Sequence, residues 1–148
     1  MSRHRDLLRL RLPARESYVV SWLMLAMVIL PWLALVWPPV ARQLEVWWVD
    51  VAVHVALMLI AALGVGAILR RQPKFTDAVT PRAYAHACLR LGMLWVACGF
   101  LVLIFGRTPS KIAHYRVPRA ESVRWFAIGG VLAVIAVVVE WFAERRQR

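Results

Sequence analysis

An aspartate and a histidine, Asp50 and His54, stand four residues apart in "EVWWVDVAVHVALM", residues 45–58. On a helix this spacing puts both side chains on one face. A carboxylate beside an imidazole is suited to proton handling or ligand binding, because histidine gains and loses its proton near neutral pH. Three further ionisable residues, Arg90, Arg124 and Glu140, also lie in long apolar surroundings. A charge at the centre of a membrane helix costs roughly 2.5–3.5 kcal/mol on insertion scales, so each residue of this kind calls for a partner or a purpose.

Depth sorts the five residues. Asp50 falls about one turn inside its apolar run, His54 a turn deeper, and Arg124 at the matching end of another run. Asp50, His54 and Arg124 are therefore a candidate intramembrane polar cluster. Arg90 and Glu140 lie toward the opposite ends of their runs and make a candidate ion pair, with Arg90 extending toward the surface. Each group also has a structural reading: a helix-end aspartate paired with Arg124, and an ion pair that only joins helices.

The elements carrying these residues follow from composition and run length. Hydrophobic residues make up 61 % of the 148, against the roughly 45–50 % usual in soluble domains. Charged residues are 18 % and collect in short blocks between apolar runs. A spanning helix needs about 20 mostly apolar residues. Four runs meet this, at about residues 17–37, 46–69, 84–105 and 122–142. Val49, Val51, Val53 and Val55 alternate as in a strand, but the run is helix-long, and a lone strand in lipid would leave its backbone groups unpaired. The expected fold is an all-α membrane protein, a bundle of four transmembrane helices. Residues 1–16 form a basic N-terminal segment, 17–142 the membrane domain and 143–148 a basic tail.

The first run is too long for a signal-peptide core and has no clear cleavage site after it, so it is expected to stay as a span. Pro31 removes one backbone hydrogen bond within it and should kink it. Twelve cations lie on one side: Arg3, Arg5, Arg9, Arg11, Arg15, Arg70, Arg71, Lys74, Arg82, Arg145, Arg146 and Arg148. Five lie on the other: Arg42, Arg107, Lys111, Arg116 and Arg119. The positive-inside bias then puts both termini in the cytoplasm. The aromatic residues fit that frame. Trp37, Trp47, Trp48 and Trp125 fall near the outer interface and Tyr18, Trp22, Tyr84 and Trp141 near the inner one, while Trp32 and Trp95 lie deeper and should pack between helices.

The net charge of +11 would suggest nucleic acid in a soluble protein. Here the cations flank spans, so anionic lipid head groups are the expected partners and nucleic acid is not. The excess of arginine over lysine suggests a GC-rich bacterial genome, and thus a multi-pass protein of the bacterial inner membrane.

Cofactor and enzyme signatures are lacking. Cys88 and Cys98 lack CxxC spacing and read as small buried apolar residues. His54 and His86 fall on opposite sides of the bilayer and cannot share a haem. Asp50, His54 and His114 have suitable ligand types but no recognised metal-site spacing. No phosphate-cradling loop, nucleophile elbow or Ser-His-acid arrangement is evident. No catalytic residue, cofactor or metal is expected. Ala62 with Gly66, and Gly129 with Ala133, have the small-xxx-small spacing that lets helix backbones approach.

The expected function is therefore that of a non-catalytic subunit, accessory protein or anchor in a larger bacterial membrane assembly, bound to another membrane subunit or to itself. The alternative is a small homo-oligomeric transporter that couples protons or ions through its intramembrane ionisable residues.

Overall fold

The computed structural model describes residues 12–35, 46–105 and 120–146, apart from the side chains of Trp32, Ala34, Leu35, Ala120 and Glu121. Most of the basic N-terminal segment, Trp37, Arg42 and the 107–119 stretch with His114 lie outside the described residues.

Four helices make up the described chain: α1 (Ala14–Leu35), α2 (Trp47–Arg70), α3 (Pro81–Phe105) and α4 (Ala120–Arg145). Each is long and apolar enough to cross a membrane. They match the four expected runs with shifted ends, residues 36 and 37 of the first run lying outside the described residues. The first starts at Ala14 instead of residue 17, the third at Pro81 instead of 84, and the fourth continues to Arg145, into the expected tail. Hydropathy reports the apolar thickness a helix must cover, whereas polar residues can continue the backbone ladder into the interface. α1 runs through Pro31 to Leu35.

Helical period, not alternation, sorts the valines. Val51 and Val55 are buried, with Met58, Ala62 and Leu69 following on the same face. They meet Val19, Val20, Leu23 and Met27 of α1, the Ala83–Leu91 region of α3, and Ile128, Leu132 and Ala136 of α4. Only between 22 and 33 % of each apolar window is buried within the bundle. Leu33, Ile60, Leu63, Ile104, Val134 and Phe142 face outward and exposed, as expected of side chains that meet lipid or another apolar surface.

α1 packs on α2 and α3, and α4 packs on α3 and α2. The helices thus form a square in the order α1, α2, α4, α3, and the consecutive pair α2 and α3 lies on a diagonal. The closest packing is between α3 and α4. There Gly92 and Gly129 bring the two backbones together: a Cβ on Gly129 would lie 2.7 Å from the Gly92 carbonyl oxygen and 2.7 Å from Val96 Cγ2. Further along, Phe126 covers Gly99. Gly66 of α2 is covered by the Tyr84 ring of α3.

Residues 71–80 join α2 to α3 and tuck under the bundle instead of looping freely. Ala78 and Val79 are buried, and the Phe75 ring stacks on Tyr18 at 5.0 Å. Thr80 Oγ1 accepts from the Ala83 N–H at 3.2 Å, and Pro81 takes the first helical position. This is the favoured chemistry for starting a helix.

Candidate functional site

Asp50 lies in the first turn of α2, where the helix dipole favours a negative charge. Trp47 and Trp48 just before it are exposed, but Asp50 itself is only 7 % exposed. Its carboxylate is held on both sides. Oδ1 is 2.8 Å from His54 Nδ1, and Oδ2 accepts from Arg124 Nη1 of α4 at 3.2 Å. The structure thus brings Asp50, His54 and Arg124 together, joining α2 to α4 near the ends that carry Trp47 and Ser122.

The histidine tautomer follows from its neighbours. Nδ1 faces Asp50 Oδ1 and also the Asp50 backbone carbonyl at 2.8 Å. Both are acceptors here, so Nδ1 carries the hydrogen and donates it. In the neutral ring Nε2 is then the basic atom. The imidazole also meets Trp95 of α3 edge-on at 6.5 Å, and Trp95 meets Trp125 of α4 edge-on at 5.0 Å. Trp95 packs between helices, as its depth implied. Its place against His54 was not legible, because the two residues sit on diagonal helices that share no local sequence signal.

Arg90 and Glu140 are both half-buried, on the adjacent helices α3 and α4. Both are engaged with neighbouring groups.

His86 is buried in a way its sequence surroundings do not signal. It is only 2 % exposed, and its Nε2 atom is buried without a protein hydrogen-bond partner. Its neighbours along the chain, Ala83, Ala85, Ala87 and Cys88, are buried as well. Cys98 is half-buried, and both cysteines are free thiols. Among the described residues no three His, Cys, Asp or Glu side chains are grouped to hold a metal ion.

The aromatic residues divide more sharply than expected. Trp47, Trp48, Tyr18, Trp22 and Trp141 are exposed. Trp125 and Tyr84 instead turn into helix contacts, against Trp95 and Gly66 respectively.

No protein-family model, curated protein or solved structure matches the chain.

Proposed function

We propose that this chain is a multi-pass protein of the bacterial inner membrane with both termini cytoplasmic, serving as a non-catalytic subunit or accessory protein of a larger membrane assembly. The carrying observation is the internal pairing of the buried ionisable cluster. Asp50 is held by His54 on its own helix and by Arg124 on α4. A carboxylate bound on both sides braces two helices. Outward, all four helices present apolar side chains suited to lipid or to another subunit's helices.

A second reading is supported by His54 alone. Its Nε2 is left basic by the Asp50 contact, inside an apolar helix, which suits a proton-coupled transporter. Arg90 and Glu140 would serve that reading as a coupling pair. Reconstituted Asp50→Asn and Glu140→Gln variants separate the two. If transport by the wild type is measurable and either variant abolishes it while still inserting, the subunit reading gives way to the transporter. Inserted variants that still support the host assembly favour the subunit.

A further inference from the structure

The connection between α2 and α3 is held in place while its cations are left outside. Thr76 Oγ1 lies 3.0 Å from the Arg70 carbonyl oxygen and 3.1 Å from that of Gln72, donating to them. Arg70 Nη2 donates to the Val79 carbonyl at 3.3 Å. Phe75 stacks on Tyr18, and Ala78 and Val79 are buried. Backbone bonds from Ala78 and Val79 to the Phe75 carbonyl close a further turn. On this fixed backbone Arg70, Arg71, Lys74 and Arg82 are all exposed, with Asp77 the one acid among them.

We propose that this connection is a preformed platform for the head groups of anionic phospholipids. A fixed backbone keeps these cations clustered without further ordering of the chain when an anion binds, and arginine suits phosphate oxygens. Basic clusters immediately beside spanning helices attract anionic lipids. The surroundings choose lipid over an acidic soluble partner. Exposed Tyr18 and Trp22, in edge contact with each other, reach the connection through the Tyr18–Phe75 stack and set aromatic surface next to the segment that carries the cations. A phospholipid brings a negative phosphate and hydrocarbon chains side by side and can cover both. A peptide of acidic residues alone, such as polyglutamate, would cover only the charge. The proposal rests on the membrane-spanning part of the reading above and not on the subunit role.

The test is native mass spectrometry of the full chain, released from detergent micelles containing equal phosphatidylglycerol and phosphatidylcholine. The wild type should retain phosphatidylglycerol preferentially. The Arg71→Gln/Lys74→Gln double variant should lose that preference by about 5-fold for each cation removed, with unchanged thermal unfolding, since both side chains are exposed. Equal retention of the two lipids by the wild type would overturn the platform, as would an undiminished preference in the variant. Displacement of phosphatidylglycerol by inorganic phosphate would make it a free-anion site instead. Displacement by polyglutamate would make it a protein-docking site. Failure of the chain to partition into lipid would overturn the membrane reading itself, a distinct result.

Discussion

The two carboxylate oxygens of Asp50 serve two helices: Oδ1 lies 2.8 Å from Nδ1 of His54 on α2, and Oδ2 lies 3.2 Å from Nη1 of Arg124 on α4. α2 and α4 are far apart in sequence, so this polar contact is a long-range tie near one end of the bundle. Its consequences are measurable.

Removing the carboxylate leaves Arg124 and His54 facing a site built for an anion. Asp50→Asn should destabilise the bundle by about 1–3 kcal/mol, the usual penalty for a buried polar group that loses its partner. The Asp50→Leu/Arg124→Met pair should cost less than the sum of its single changes, with a coupling of about 0.5–3 kcal/mol. Thermal unfolding in detergent, followed by tryptophan fluorescence, reads both. Additive costs would mean the contact does not tie the helices.

The acceptors around His54 fix its tautomer. In the neutral form the hydrogen should sit on Nδ1, and nitrogen-15 chemical shifts and couplings of the imidazole ring distinguish this from the Nε2–H form. Finding Nε2–H would contradict the Asp50 contact. Asp50→Ala should weaken the preference without abolishing it, because the backbone carbonyl of residue 50, 2.8 Å from Nδ1, still accepts.

Two adjacent glycines make a control pair. Gly129 faces the Gly92 backbone, whereas a Cβ on Gly130 meets nothing within 4 Å. Gly129→Ala must push α3 and α4 apart and should cost about 1–3 kcal/mol, as overpacking usually does. Gly130→Ala should be neutral or slightly stabilising, because alanine is the better helix former. Equal effects at both positions would rule out the close crossing.

The proposed orientation is open to a simple assay. A reporter fused after Arg148 should score as cytoplasmic, and so should one fused before Ser2. A periplasmic score for either would overturn the topology drawn from the Lys and Arg distribution.

The helices were legible because lipid thickness sets a length that the apolar runs satisfy. Asp50 and His54 could be placed on one face by spacing alone, and Arg124 joined them by depth. The packing order was not legible. A soluble helix shows its inward face by an apolar stripe, but these helices are apolar all round, so nothing in α3 marks the side that meets α4. Gly129 was recognisable as a packing residue, yet its partner Gly92 was not, because the contact depends on which faces the fold brings together. In sequence the 71–80 connection offers only a polar stretch around Pro73, ending at Pro81. Its burial depends on Phe75 reaching Tyr18, a contact across helices that local composition does not encode.

The role in a larger assembly is tested most directly by tagging the chain at native expression level, extracting it in mild detergent and weighing the intact complex by native mass spectrometry. The expected result is a hetero-complex in which this chain and a different membrane protein occur in fixed stoichiometry. Recovery of the chain only as a monomer or as copies of itself would contradict it.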